Sequence, residues 1–366
     1  MSTATAPTIG VFDSGFGGLT VLRALLPLIP NAHYIYLGDT ARLPYGAKSR
    51  ETIARYAVEA ARFLHNRGAD HLVIACNTAT ALALEDIRSA VPIPVHGVIS
   101  PGAQAAYDAI ATDHPTTNVS PRSNAAPSPT SNVSSRPERS AVERPASPEG
   151  AGGFRSNAAP SPTSNVSSRP ERSAVERPVS PEGAGGFSPL KTAPPKGASA
   201  PGLPAATPQI LVLATAATVQ SHAYREACAA LNLHAIEKAC PLLVPLVEEG
   251  WVDHPVTREV LRIYLTEALA ECTPAAVLLG CTHYPLIADA IRSTLLALGH
   301  NIPVIDSAAS TAYTVADTLG HTPNIHDHTA ATFQCFATDS TEKFQRLGSI
   351  FLNQPIPSVT LLNLGG

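Results

Sequence analysis

Apolar positions in the first hundred residues fall in short solid runs, separated by longer stretches where they recur at helical spacing. Ile9–Phe12, Tyr34–Leu37, Leu72–Ala75 and Val95–Ile99 have the pattern of strands buried on both faces. Between them, Gly18–Leu28 and Ser49–Arg67 read as helices. The second carries Ile53, Tyr56, Ala57, Ala60, Phe63 and Leu64 along one face. The alternation resumes near residue 209, with strands expected at Ile210–Leu213, His234–Ile236, Ala276–Leu279, Ile302–Ile305 and Thr332–Ala337. Helices are expected over Thr218–Leu231, Leu242–Trp251, Thr257–Cys272, Tyr284–Leu298 and Ala308–Leu319. Strand-then-helix order repeated along a chain predicts parallel sheets with helices on their faces.

The pattern stops between residues 112 and 208, where Pro, Ser, Ala, Gly and Arg dominate. Arg122–Phe154 recurs there as Arg155–Phe187 with a single change, Ala146 against Val179. Stacked repeats need an apolar face on each unit, and this one offers only scattered Val and Ala with one Phe. The composition predicts a disordered insertion of 112–208. A chain of 366 residues has room for two domains, since single cores stop growing at ~250–300 residues.

Hydrophobic residues make up 44% of the chain and charged residues 15%, and no apolar run is long enough to span a membrane. A net charge of -4 argues against nucleic acid as a partner, because phosphate neutralisation needs a basic face. The start, MSTATAPT, lacks the features of a secretory signal, so the expected location is the cytoplasm. There, the six cysteines (Cys76, Cys228, Cys240, Cys272, Cys281 and Cys335) are expected to be buried or catalytic rather than bridged. None forms a Cys-x-x-Cys pair, so no metal site is expected.

Two cysteines stand apart. Leu72–Ala75 leads into Cys76-Asn77-Thr78, and Val277–Gly280 leads into Cys281-Thr282-His283. Each is an apolar strand, a small residue, a cysteine and then hydrogen-bonding side chains before a helix. Ligands of open α/β sheets sit outside the carboxyl ends of the strands. A cysteine opening the next helix meets its unpaired N–H groups, which favour thiolate. Two such sites in two halves of a chain suggest a cleft with one thiol from each side. Inverting a stereocentre by proton transfer needs a base on one face and an acid on the other. A hydrolase using Cys281 with His283 is the competing reading, and it leaves Cys76 without a task.

Other polar clusters fit a small anionic ligand. Asp13-Ser14-Gly15-Phe16-Gly17-Gly18 follows a strand and opens a helix, but its spacing is not the dinucleotide fingerprint. Asp13 is either a helix cap or a partner for a substrate ammonium or for Cys76. Tyr45 and Gly46 sit in the loop Arg42–Gly46. Glu248 reads equally as a solvated helix residue or as an acid reaching the cleft. Pyridoxal chemistry needs a Schiff-base lysine, and none of Lys48, Lys191, Lys196, Lys238 and Lys343 lies in a strand-end motif. No cofactor is expected.

The segments FDSGFGGLTVL, GDTARLPYG, ACNTATAL, ACPLLVPLVEEG and LGCTHYPL, in this order, closely resemble those of the glutamate racemases in the aspartate/glutamate racemase superfamily. The resemblance covers nearly all of the chain outside 112–208. It implies an α/β fold of two pseudosymmetric, doubly wound parallel-sheet domains with the active site in the cleft between them. One domain would comprise 7–99 plus 306–366 and the other 100–111 plus 209–305. It further implies cofactor-independent interconversion of L- and D-glutamate, supplying D-glutamate for peptidoglycan. Cys76 and Cys281 become the acid/base thiols, Cys76 facing the α-hydrogen of D-glutamate and Cys281 that of L-glutamate. Asp13, Glu248 and His283 would tune them. Asp13, Ser14, Tyr45, Gly46, Asn77, Thr78, Thr282 and His283 would line the glutamate site. Glutamate is then the expected partner, with no nucleic acid and no membrane, and a homodimer is the candidate assembly. A racemase for aspartate is the nearest alternative. One departure from the family pattern is Leu213–Thr218, which lacks a glycine often found in the matching loop.

Overall fold

The structure, a computed structural model, describes residues 6–112, 207–321 and 331–364. Apart from its edges, the repeat-bearing insertion lies outside the described residues. In chain order the elements are β1 (Thr8–Asp13), α1 (Leu19–Leu25), β2 (His33–Gly38), α2 (Arg50–Asn66), β3 (His71–Ile74), α3 (Asn77–Ala90), β4 (Val95–Gly97) and α4 (Ile99–Thr112). After the insertion come β5 (Gln209–Ala214), α5 (Ala216–Ser221), α6 (Ala223–Ala229), β6 (His234–Ala239), α7 (Leu243–Glu248), α8 (Pro255–Glu271), β7 (Ala276–Gly280), α9 (Ala288–Ala297), β8 (Val304–Asp306) and α10 (Ala308–Thr318). The chain closes with β9 (Thr332–Ala337), α11 (Thr341–Leu352) and β10 (Val359–Leu361).

These strands build two parallel sheets, ordered β10-β9-β2-β1-β3-β4 and β6-β5-β7-β8. The inner order of the first, β2-β1-β3-β4, is the whole order of the second with β1 matched to β5 and β3 to β7. In both, the strand order reverses beside the first strand, and ligands of doubly wound sheets bind at that switch point. Asp13 ends β1 and Cys76 lies just past β3 at the first switch point, and Thr215 and Cys281 directly follow β5 and β7 at the second. The strands are apolar because helices cover both faces: β7 is buried throughout, and β1 and β5 are buried in all but their first residue.

Sequence and structure differ at particular points, each with a local cause. The expected helix Thr218–Leu231 is two, α5 and α6, because His222 between them takes a left-handed φ of 57°. Proline at the first helical position starts α8 two residues before the expected Thr257. Tyr284–Ile287 is a tight 3-10 turn with Pro285 in its first turn, and the α-helix begins only at Ala288. The expected strand Val95–Ile99 stops at Gly97, and Ile99 already opens α4. Among the described residues, no helix is long and apolar enough to cross a membrane.

Candidate active site

The turn after β1 is folded around the Asp13 carboxylate, which is fully buried and accepts the backbone N–H of Gly15 at 2.9 Å and that of Gly18. Asp13 is therefore not the cap of α1; Gly18 holds that position without a side-chain bond. Gly17 is dictated by packing, since a Cβ there would run into Thr282 Oγ1 and lie 2.7 Å from His283 Nδ1. Glycine at this position lets the β1 turn close onto the loop that carries Cys281. Thr282 Oγ1 in turn donates to Asp13 Oδ1 at 3.4 Å.

Cys76 caps α3, its Sγ accepting the N–H of Ala79 at 3.4 Å and donating to Ser14 Oγ at 3.5 Å. The helix end does not make it a thiolate. Burial, and then the Asp13 carboxylate nearby, push its pKa up to about 12, outweighing the N–H and Ser14 contacts. The expectation of a thiolate-favouring helix start is corrected on this point. Cys281 departs from it differently, because no α-helix starts behind it.

Cys281 instead faces a cation. Its Sγ lies 4.0 Å from His283 Nδ1, and His283 Nε2 lies 3.4 Å from Glu248 Oε1. The second contact is a charge pairing, since Nε2 makes no aligned hydrogen bond among the described residues. Burial alone would depress the His283 pKa. Its pairing with Cys281 and Glu248, helped by Asp13, overrides that and lifts it to about 10. Burial likewise works to raise Glu248, and His283 with Lys343 overrides it and holds the carboxyl below the ordinary range. Lys343 Nζ, from α11, reaches Glu248 Oε2 at 3.3 Å. Glu248 thus reaches the cleft, only 16% exposed, rather than standing in solvent.

Both cysteines line one cavity of about 30 Å³, together with Ser14, Tyr45, Gly46, Asn77, Thr78, Thr215, Thr282 and His283. This holds about one water and no amino acid, so a substrate enters only if the walls part. The walls Leu43, Pro44, Gly46, Thr215 and Val244 are shared with an adjoining, mostly apolar cavity of about 270 Å³ that Glu248 also lines. A larger cavity of about 390 Å³ is lined by Arg88, His96 and Glu226 and by neither cysteine.

Every residue singled out in the sequence converges here; Asp13 stands fully buried behind the lining, and Glu248 lines the adjoining cavity. Sequence reading passed over several others. Asp39, fully buried, accepts the Tyr45 hydroxyl at 2.6 Å, Thr338 Oγ1 at 2.9 Å and Arg42 Nε at 2.9 Å, and so fixes the loop that presents Tyr45. Its place in GDTARLPYG was the available signal. Thr215 and Thr218 form a hydroxyl triangle with Thr78, all sides 3.0–3.1 Å, at the loop where the family glycine is missing. Lys343 sits on a helix surface in sequence and enters the site only through the fold.

The model of the Asp/Glu/Hydantoin racemase family matches residues 14–115 and 197–315, more than half of the chain. The glutamate racemase of Koribacter versatilis is 38% identical, over 98% of each chain. Among solved structures, the glutamate racemase of Thermus thermophilus in complex with β-chloro-D-alanine is 30% identical, with a TM-score of 0.61 and 98% of both chains covered. The Bacillus anthracis isoform RacE1 superposes with a TM-score of 0.66 at 25% identity, again over 98% of both. Two like parallel sheets, two strand-end thiols on one cavity and these likenesses agree: the chain belongs to the Asp/Glu/hydantoin racemase family.

Proposed function

We propose that the chain interconverts L- and D-glutamate without a cofactor, using Cys76 and Cys281 as opposed acid and base. The carrying observation is that both thiols line one cavity from the ends of equivalent strands, in opposite electrostatic surroundings. With the His283 imidazole 4.0 Å from its Sγ, Cys281 serves as the base that removes the α-proton of L-glutamate. The electron pair left on the α-carbon is held in the substrate carboxylate. Cys76, held as a thiol by burial and Asp13, returns a proton to the other face, giving D-glutamate. The reverse reaction exchanges the two roles. Ser14, Thr78 and Thr282 supply hydroxyls to the bound amino acid, and Tyr45, held by Asp39, closes the wall.

This reading makes 7–99 with 306–366 one catalytic domain and 100–111 with 209–305 the other. It places the enzyme in the cytoplasm as a homodimer, with its product used for peptidoglycan. The test is circular dichroism of the purified protein with L-glutamate, then L-aspartate, in deuterated water. Loss of the L-glutamate signal with one deuterium gained per inversion is expected. Loss with aspartate alone would overturn the substrate, and inversion without deuterium would overturn the two-base chemistry.

A further inference from the structure

We infer that Tyr224 is a positioning residue of this enzyme, its hydroxyl orienting the Asn77 amide toward substrate while its ring seats the backbone before Cys281. The inference rests on the two-thiol reading above. Tyr224 belongs to α6, the short helix redirected by the left-handed His222, and it is fully buried. Its hydroxyl donates to Asn77 Oδ1 at 2.5 Å. Ser307, at the start of α10, hydrogen-bonds the same phenolic oxygen. Burial pushes the phenol well above its ordinary pKa, so it stays protonated, and its single proton is committed to Asn77.

That commitment decides which end of the amide is free. With Oδ1 taken by Tyr224, Asn77 offers its NH2 group to the cavity it lines. An ionised carboxylate accepts hydrogen bonds and donates none, so the NH2 end suits a carboxylate of the substrate. On the other side, a Cβ at Gly280 would stand 2.9 Å from Tyr224 Cε2, so the ring lies flush on that backbone. Asn77 follows Cys76 and Gly280 precedes Cys281. One side chain therefore braces both thiol-bearing strand ends.

Tyr224→Phe keeps the ring and removes the donor. Expected is a KM for both enantiomers raised about tenfold, with kcat changed less than threefold, because binding is lost and the thiols are not. In an Asn77→Ala background the same substitution should change KM less than twofold, since the pair acts as a unit. Thermal melting of each variant shows that it folds. An unchanged KM in Tyr224→Phe, or full additivity of the two substitutions, would overturn the inference. Absence of glutamate racemisation by the unaltered protein would instead overturn the functional reading. The contact is then read directly from the Asn77 side-chain amide resonance, identified by its loss in Asn77→Ala. It should shift in Tyr224→Phe, and an unmoved resonance would overturn the inference independently of turnover.

Discussion

The two cysteine loops are close to copies in sequence and opposites in chemistry. Cys76 caps a 14-residue helix, gives its hydrogen to Ser14 and shares its surroundings with a carboxylate. Cys281 precedes a 3-10 turn and faces an imidazole that its contacts with Cys281 and Glu248 keep protonated. Backbone position delivers both thiols to the same cavity. The charges nearest them, the Asp13 carboxylate beside Cys76 and the His283 imidazolium beside Cys281, give them different surroundings. Two-base inversion needs that division, since one thiol must be ready to accept a proton while the other is ready to give one.

The bluntest way to break the comparison is to remove either thiol. Cys76→Ala and Cys281→Ala should each lower kcat for racemisation by about 10³-fold. Near-normal turnover in either variant would show that the wrong pair has been chosen. A subtler cut removes only the cation. His283→Asn should lower kcat/KM by about 10²-fold, equally for both enantiomers because their overall equilibrium is unity. The primary deuterium isotope effect should grow more with L-glutamate than with D-glutamate, as removal of its proton by Cys281 becomes the slow step. A larger rise with D-glutamate would reverse the assignment of faces.

The His283–Glu248 pairing also has a signature in stability. Its contribution through His283, whose pKa is raised, is full below the ordinary histidine value of about 6.5 and is lost as pH rises through about 10. Its contribution through Glu248, whose pKa is lowered, is full above the ordinary value of about 4.3 and is lost as pH falls through the lowered one. The Tm gap between the unaltered protein and Glu248→Gln should therefore be widest at about pH 5–6.5, at about 2–4 °C for each kcal/mol contributed. It should narrow towards pH 10; a gap independent of pH would remove the pairing from the account. The smallest effects belong to cysteines outside the pair. Cys228 and Cys335 are buried with pKa values raised to about 11 and about 12, and neither lines the cavity. Cys228→Ala and Cys335→Ala should leave kcat within twofold and cost about 1 kcal/mol of stability.

Much of this site was legible as text. The strand ends bearing Asp13, Cys76 and Cys281 announce themselves by apolar runs that stop at polar residues, because a parallel strand is buried along its length and opens only at its carboxyl end. Other residues left no such mark. Glu248 read as evenly between solvent and cleft, and Lys343 as a surface lysine, because each gains its meaning from a partner 95 residues away. Tyr224 has the spacing of an ordinary core residue, and only the left-handed turn at His222 brings it beside Asn77. The last strand, β10, is three residues long with two of them exposed, too short and too polar to stand out.

The sequence by itself determined the alternation of strand and helix, the duplicated strand-end cysteines and the family, since each is carried by residues adjacent in the chain. Tertiary structure alone decided the charges around each thiol. Burial and charge act through space, and Asp13 beside Cys76 and Glu248 beside His283 come from elements distant in the chain.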